Sequence, residues 1–262
     1  MDRIAKVFST ARKALIVYLT AGYPSKGLDE ELALTAIEAG ADILELGFPF
    51  SDPVADGPLI QEASQRALGN GMTLAGTIEL AARIRTRRET PIILMGYANP
   101  VYHMGYGTFA GNLARAGSDG AIIPDLPLES AAPLRDEMRE QGLALIPMAA
   151  PNTPPERLKS LIETGSGFLY LVSMAGLTGD TMDQTASWKE IALKAKSAGS
   201  LPVAVGFGIR TGADAAVAVR TADGVIVGSA ITRVIKEAGG AEAAKENVRR
   251  LVGELREAID NV

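Results

Sequence analysis

Short apolar runs alternate with amphipathic helical patterns along the whole chain, and this alternation limits the possible folds more than any other feature. The predicted strands are Leu15–Thr20, Asp42–Leu46, Ile92–Tyr97, Gly120–Pro124, Leu143–Met148, Phe168–Val172, Val203–Val205 and Val225–Val227. The predicted helices between them are Leu28–Ala39, Leu59–Leu68, Thr77–Arg87, Phe109–Ala116, Ala131–Gln141, Pro155–Thr164, Trp188–Ala198 and Thr211–Val219, with further helical patterns at Asp2–Ala11 and Ala241–Ile259. Because the strands are short and lack polar alternation, we expect a parallel sheet that helices cover on its outside.

Eight strand–helix units in 262 residues match a closed (β/α)8 TIM barrel with an extra helix at its N-terminus. An open, doubly wound sheet is the alternative, although it usually contains fewer strands. No linker or low-complexity segment interrupts the pattern, so we predict a single barrel domain over residues 1–262. In such a barrel the functional site lies at the carboxyl ends of the strands.

The composition argues against several classes of protein. A formal net charge of -5 gives no basic surface for nucleic acid or an anionic membrane. The chain has no cysteine and a single histidine, His103, which argues against a zinc site and leaves His103 as an ordinary loop residue. We find no signal peptide and no apolar stretch near the ~18 residues of a membrane span, so we expect a cytoplasmic protein.

Two carboxylates stand at the end of the second predicted strand and just beyond it. Glu45 lies inside an apolar run, where an acid is expected only if it is paired or used. Side chains alternate along a strand, so Glu45 shares a face with Ile43 and Gly47 and, if that face looks into the barrel, lies near its upper rim. Asp56 follows in a Pro- and Gly-rich loop that could reach the same space. Apolar surroundings raise the pKa of a carboxyl group towards neutrality, which suits proton transfer.

Each carboxylate also has a structural alternative. Glu45 could pair with a Lys or Arg or cap backbone N–H groups, and Asp56 could belong to an ordinary Asp-Gly turn. A Mg²⁺ site built from Glu45, Asp52 and Asp56 is a further alternative, although we predict no metal.

Glycine-rich turns follow the seventh and eighth predicted strands. Gly208, Gly228 and Ser229 could hold a phosphate through backbone N–H groups and a helix N-terminus, and Gly179 could close over it from the long loop Ser173–Ser187. Glycines also end strands in many barrels, so a purely structural role stays open. Residues that could line a flat apolar pocket, although any one of them could be ordinary core, are Tyr18, Met95, Tyr97, Ile122, Met148, Phe207 and Ile226.

Several strings in this order and spacing resemble the α subunits of tryptophan synthase over essentially the whole chain. The longest and most specific is ELGFPFSDPVADGP at Glu45–Pro58. The others are Tyr18–Pro24, Met95–Pro100, Pro124–Pro127, Ala150–Thr153, Tyr170–Ser173, Gly176–Gly179, Gly206–Ile209 and Gly228–Ala230.

The resemblance implies cleavage of indole-3-glycerol phosphate to indole and glyceraldehyde 3-phosphate, a retro-aldol reaction that needs no cofactor. Glu45 matches the family's acid–base residue, and Asp56 matches the carboxylate that accepts from the indole N–H and stabilises the cation. The family's phosphate-binding positions correspond to Gly179, Phe207, Gly208, Gly228 and Ser229. Its indole pocket corresponds to Tyr18, Met95, Tyr97, Ile122, Met148, Phe207 and Ile226, with Thr178 closing over the site and contacting the aspartate.

The resemblance also implies a PLP-dependent β subunit, which receives indole through a tunnel within an α2β2 heterotetramer of tryptophan biosynthesis; this chain itself should carry no PLP. Pro53, Asn99 and Asp125 match positions that face this partner. Met174 is a departure, because some members have an arginine there. The alternatives are a stand-alone indole-releasing lyase, a sugar-phosphate isomerase on the same barrel, and a non-catalytic subunit that activates a partner.

Overall fold

The computed structural model of the chain describes residues 3–172, 185–206 and 208–262. Within these ranges the β-strands are β1 Ala14–Thr20, β2 Ile43–Gly47, β3 Ile92–Met95, β4 Gly120–Ile122, β5 Ala144–Leu145, β6 Met148–Ala149, β7 Leu169–Val172, β8 Val203–Gly206 and β9 Gly224–Val227. The helices are α1 Arg3–Phe8, α2 Leu28–Glu38, α3 Pro58–Gly69, α4 Leu74–Arg85, α5 Ala98–Met104, α6 Tyr106–Arg115, α7 Ala132–Glu140, α8 Pro155–Thr164, α9 Thr185–Ala198, α10 Gly212–Val219, α11 Ser229–Lys236 and α12 Ala241–Asp260, besides a 3-10 turn at Leu128–Ser130. The strands pair in parallel in the order β5-β4-β3-β2-β1-β9-β8-β7-β6.

The predicted fifth strand is divided into β5 and β6, which lie at the two ends of this order. Only Ile146 and Pro147 separate them in the chain, so the sheet closes on itself at this point. Ile146 N donates to Ala121 O over 3.0 Å, and Tyr170 N donates to Pro147 O over 2.9 Å, so backbone bonding continues on both sides. The division has a local cause, because Pro147 has no N–H to give to a strand ladder. The closed (β/α)8 barrel is therefore confirmed, and the ninth strand arises only because one strand is interrupted.

Two apolar cores lie on opposite faces of the sheet. In β1, Leu15 and Val17 belong to the outer core between sheet and helices, whereas Ile16 belongs to the inner core of the barrel. Strand β2 alternates in the same way, with Ile43 in the inner core. Since side chains alternate along a strand, Glu45 also points into the barrel.

The N-terminal helix α1 covers the amino ends of the strands. Ile4 is fully buried and belongs to the inner core. The ring of Phe8 lies 5.5 Å from the ring of Phe168, the residue directly before β7. The predicted extra helix therefore closes the end of the barrel opposite the carboxyl ends of the strands.

Aspartates directly before strands tie the amino end of the barrel together. Each accepts a hydrogen bond from the backbone N–H at or next to the start of a neighbouring strand, and the pairs are Asp42 with Leu15, Asp119 with Ile92, and Asp223 with Val203. Asp119 also accepts from Arg85 over 2.7 Å, in a pair whose side chains are only 6% and 12% exposed. These contacts serve stability rather than chemistry, because the reacting end of a barrel is the opposite one.

Helices α5 and α11 go beyond the predicted elements. Pro100 lies in the first turn of α5, where a missing N–H leaves no helical bond unmade. Helix α11 begins at Ser229, directly after Gly228, so the glycine turn predicted to bind phosphate is a helix N-terminus.

Candidate active site

A cavity of about 500 Å³ opens at the carboxyl ends of the strands. Both predicted carboxylates line it. Its lining residues are Tyr18, Glu45, Asp56, Ile60, Met95, Tyr170, Gly206, Gly208, Ile209, Ile226, Gly228 and Ser229.

Glu45 lies deep in this cavity. Strand register places it between Tyr18 of β1 and Ile93 of β3, and it is 0% exposed. Neither carboxyl oxygen has a hydrogen-bond partner within the described ranges. Burial, and secondarily the negative charge of Asp56, raises the pKa of Glu45 from 4.5 to about 8. A carboxyl group in this state holds its proton at neutral pH and can give or take it at little cost.

Asp56 reaches the cavity from the loop between β2 and α3. The Tyr97 hydroxyl donates to Asp56 Oδ2 over 2.9 Å and accepts from Ala55 N over 3.1 Å, which fixes the loop and the carboxylate together. Burial raises the pKa of Asp56, and the bond from Tyr97 opposes that rise. The two carboxylates therefore differ in surroundings, because Glu45 is enclosed without a partner while Asp56 is half-buried and accepts a hydrogen bond.

Three of the residues predicted to bind phosphate belong to the cavity wall. These are Gly208, Gly228 and Ser229. Gly208 has φ +50°, a left-handed conformation that glycine adopts without strain. The first N–H groups of α11 have no partner within their own helix, so they and the helix dipole favour an anion at Ser229.

The predicted residues Thr178, Gly179 and Phe207, and the departure Met174, lie outside the described residues.

Some of the residues predicted to form the indole pocket line the cavity, and others lie elsewhere. Tyr18, Met95 and Ile226 line it. Ile122 lies in the inner core and Met148 packs against that core, but neither is part of the cavity lining. Tyr97 is also absent from the lining, and its hydroxyl instead orients Asp56.

Some lining residues were not predicted from the sequence, namely Ile60, Tyr170, Gly206 and Ile209. Tyr170 could have been found, because it shares its strand face with Phe168 of the inner core. Gly206 lies against it, since a Cβ on Gly206 would stand 2.8 Å from the Tyr170 hydroxyl. Nothing in the sequence indicated that Ile60 lines the cavity, because its position there depends on how α3 packs against the barrel.

The predicted partner positions follow the carboxyl ends of β2, β3 and β4: Pro53 lies in the loop after β2, Asn99 in α5, and Asp125 in the loop after β4. Asn99 and Asp125 are exposed and Pro53 is half-buried. Asp125 Oδ1 accepts from Ala98 N over 2.8 Å, so the loop after β4 is tied to the start of α5. Two large apolar side chains from the same segments, Val54 of the loop after β2 and Tyr102 of α5, are 80% and 71% exposed.

A second cavity, of about 670 Å³, lies outside the barrel between α7 and α8. Its lining is mostly leucine, isoleucine and proline, with Arg135 and Arg157 but no acid. It offers no group for proton transfer, so the smaller cavity with the two carboxylates is the candidate active site.

In the described part of the chain, no group of three or more His, Cys, Asp or Glu residues could hold a metal ion. Among the described helices, none combines the length and the apolar composition that a membrane span requires.

The model of the family described as tryptophan synthase alpha chain matches residues 4–260. The chain belongs to the tryptophan synthase alpha chain family. Two relatives with that name, from Dechloromonas aromatica (strain RCB) and Caulobacter sp. (strain K31), are 46% and 45% identical to it. These alignments cover 100% and 98% of this chain and 99% and 96% of the relatives.

Solved structures of the tryptophan synthase alpha chain family have the same fold. Tryptophan synthase subunit alpha from Legionella pneumophila str. Paris superimposes with a TM-score of 0.93 at 38% identity, with 100% of both chains covered. A chain of ligand-free tryptophan synthase from M. tuberculosis gives a TM-score of 0.89 at 34% identity, with 99% of both chains covered. Family members cleave indole-3-glycerol phosphate in tryptophan biosynthesis and pair with a beta subunit, so the predicted lyase function and partner are confirmed at the level of the family.

Proposed function

We propose that Glu45 and Asp56 carry out the cleavage of indole-3-glycerol phosphate in this chain, with Glu45 moving the protons and Asp56 stabilising the cation. The observation that carries this proposal is a fully buried glutamate, without a described partner, in the same cavity as a second carboxylate. Structural glutamates are normally paired when buried, so an unpaired one at a strand end favours a chemical role.

The proposed reaction begins with protonated Glu45. Its proton passes to C3 of the indole ring, which turns the ring into an iminium-like electron sink. The bond between C3 and the glycerol carbon then breaks, and its electron pair returns to the ring as indole. The hydroxyl on that glycerol carbon gives its proton to the Glu45 carboxylate and becomes the aldehyde of glyceraldehyde 3-phosphate. Glu45 is thereby returned to its starting state.

Asp56 is proposed to accept a hydrogen bond from the indole N–H. Positive charge develops on this nitrogen when C3 is protonated, and an ionised carboxylate lowers the energy of that state. The bond from Tyr97 supports this role, because it favours the charged form of Asp56.

The phosphate is proposed to bind at Gly208, Gly228 and Ser229, with Gly179 and Phe207 completing the site, and Thr178 is proposed to close over Asp56. The indole ring is proposed to lie against Tyr18, Met95 and Ile226, with Tyr97, Ile122, Met148 and Phe207 around it. Support comes from the cavity lining, which includes the apolar surfaces of Tyr18, Met95 and Ile226 together with both carboxylates and the first residue of α11.

The partner interface is proposed to include Pro53, Asn99 and Asp125. These residues surround the mouth of the cavity, together with the exposed side chains of Val54 and Tyr102. Large exposed apolar side chains on one face are typical of a surface that another protein covers. We also propose that the chain is one domain over residues 1–262 and acts in the cytoplasm.

The test is release of indole from indole-3-glycerol phosphate by the wild-type chain, Glu45→Gln and Asp56→Asn, each with and without the β subunit. Glu45→Gln is nearly isosteric, so we expect folded protein and a loss of at least about 10²-fold in kcat, the usual contribution of acid–base catalysis. Asp56→Asn removes the stabilising charge and should lower kcat by about 10²-fold or more.

The outcomes separate the alternatives. Retained activity in Glu45→Gln would rule out its proton-transfer role. Fast release by the wild-type chain alone, with no rise when the β subunit is added, would identify a stand-alone lyase. No release in any condition would leave a binding role.

A further inference from the structure

The side chain of Tyr18 lies along the cavity wall between the two ends of the proposed substrate site. At one end, its Cβ and Cδ1 lie 3.3 Å from the position that a Cβ on Gly228 would take. At the other, its hydroxyl oxygen lies 2.1 Å from the position of a Cβ on Gly47. Gly228 belongs to the proposed phosphate turn, and Gly47 follows Glu45 by two residues on the same strand face. Tyr18 therefore runs alongside the path from the phosphate to the reacting carbon.

The Tyr18 hydroxyl is oriented by one neighbour. Thr20 Oγ1 lies 3.3 Å away, and either atom could be the donor. Thr20 is 4% exposed, and its hydroxyl makes no other hydrogen bond among the described residues. When Thr20 donates to Tyr18, the Tyr18 proton is free to point into the cavity. Buried hydroxyl groups normally use their donor, so a partner is expected there.

We propose that Tyr18 is a positioning residue whose hydroxyl donates a hydrogen bond to the glycerol chain of indole-3-glycerol phosphate. This rests on the proposed function, since it places the phosphate at Gly228 and the reacting carbon at Glu45. The chain between those points carries two hydroxyl groups, and Glu45 takes the proton of only one. The second hydroxyl needs a partner in an enclosed site, because an unsatisfied polar group there is costly.

Other hydroxyl groups of the cavity fit this role less well. Tyr170 and Ser229 also line the cavity. Neither side-chain hydroxyl has a hydrogen-bonded neighbour within the described ranges that would fix its direction, whereas Tyr18 has Thr20. An oriented donor loses less freedom when the substrate binds.

The experiment compares two compounds on Tyr18→Phe. The first is indole-3-glycerol phosphate, read as kcat/KM with the wild-type chain as reference. The second is 3-(indol-3-yl)propyl phosphate, which keeps the indole N–H and the phosphate but has no hydroxyl on its chain, read as Kd by calorimetry. We expect kcat/KM for the substrate to fall about tenfold, as for loss of one hydrogen bond in a closed site, while Kd for the analogue changes by less than about twofold.

Thr20→Val provides a second variant, because valine keeps the shape of threonine and removes its hydroxyl. Thr20 acts through Tyr18 in this proposal, so Thr20→Val should give a smaller fall in kcat/KM than Tyr18→Phe. Adding it to Tyr18→Phe should cause no further loss.

Two results would overturn the proposal. An equal loss for substrate and analogue would mean that Tyr18 acts through ring packing or through Asp56 at the indole end. An unchanged kcat/KM in Tyr18→Phe would mean that the hydroxyl is not used. Failure of the proposed function would appear separately, as a wild-type chain that releases no indole. In that case Kd for indole-3-glycerol phosphate replaces kcat/KM. The effect of Tyr18→Phe on the two compounds then still decides whether the hydroxyl contacts the glycerol chain.

Discussion

The Tyr97 hydroxyl donates a hydrogen bond to Asp56 Oδ2 over 2.9 Å, although the two residues are 41 positions apart in the chain. Tyr97 lies directly before α5 in the short connection from β3, and Asp56 lies in the loop between β2 and α3. The same hydroxyl accepts from Ala55 N, so a loop rich in proline and glycine is fixed at the point where its carboxylate enters the cavity. This contact gives a turn-forming aspartate a defined place beside Glu45.

Replacing Tyr97 by phenylalanine should slow the reaction and change its pH dependence. The Tyr97 bond lowers the pKa of Asp56, so its loss raises that pKa further. Asp56 then becomes protonated at a higher pH, and kcat should begin to fall at a higher pH as the solution is made more acidic. At neutral pH we expect about a tenfold loss, the worth of a hydrogen bond to a charged group. A pH series of kcat for Tyr97→Phe checks this, with Tyr102→Phe, an exposed neighbour, as the matched control. An unshifted profile would contradict it.

Glu45 should make the folded chain less stable as pH rises. Its pKa is raised from 4.5 to about 8 in the folded state, so the folded state binds more protons than the unfolded state between these values. The free energy of unfolding contributed by Glu45 is therefore complete below pH 4.5 and is lost as pH rises to about 8. The loss is about 1.4 kcal/mol for each pH unit.

Burial also raises the pKa of Asp42, Asp56 and Asp119. These residues are present in both the wild-type chain and Glu45→Gln, so the difference between the two proteins isolates the contribution of Glu45. Urea unfolding from pH 5 to pH 8 should show the variant gaining stability relative to the wild-type chain as pH increases. A constant difference across that range would mean that Glu45 is ionised throughout.

Asp119→Asn should destabilise the fold without affecting the chemistry. It leaves the guanidinium of Arg85, whose side chain is 12% exposed, without its closest carboxylate at the amino end of the barrel. Breaking a buried ion pair in this way costs about 3 kcal/mol. Urea unfolding measures the loss, and kcat at a temperature where both proteins are folded should be unchanged.

Asp136→Asn is the matched control for Asp119→Asn. Asp136 pairs with Arg139, but their side chains are 53% and 75% exposed. Exposed pairs contribute less than about 1 kcal/mol. Equal costs for the two variants would show that burial does not decide the worth of the pair.

Tyr102→Arg should weaken binding of the β subunit. Tyr102 is 71% exposed at the cavity mouth, near the proposed interface residue Asn99, and its ring lies 6.2 Å from that of Tyr106. Burying a charge there against a partner should lower the affinity by about tenfold or more, measured by calorimetric titration, while the isolated chain keeps its rate of indole release. The control is Leu193→Arg, because Leu193 is an apolar residue of α9 that is 60% exposed, close to the value for Tyr102. If both variants bind the β subunit alike, this face is not the interface.

The sequence by itself predicted the barrel over an open sheet, placed Glu45 on one strand face with Ile43 and Gly47, and indicated the family. Those conclusions depend on local regularities: apolar runs of strand length, alternation along β2, and the string from Glu45 to Pro58. Such patterns are visible without a three-dimensional structure, because each residue's role follows from neighbours within a few positions.

Only the tertiary structure decided which side chains meet in the cavity. The bond from Tyr97 to Asp56, the place of Tyr170 over Gly206, and the position of the Tyr18 hydroxyl beside Gly47 all join residues from different strands or loops. The same holds for Ile122 and Met148. They pair in register with the lining residues Met95 and Tyr170, but neither is part of the cavity lining, because they belong to β4 and β6, from which no residue lines the cavity. The physical reason is that contacts across a closed barrel depend on the register between strands and on loop packing, which the order of residues within one strand does not specify.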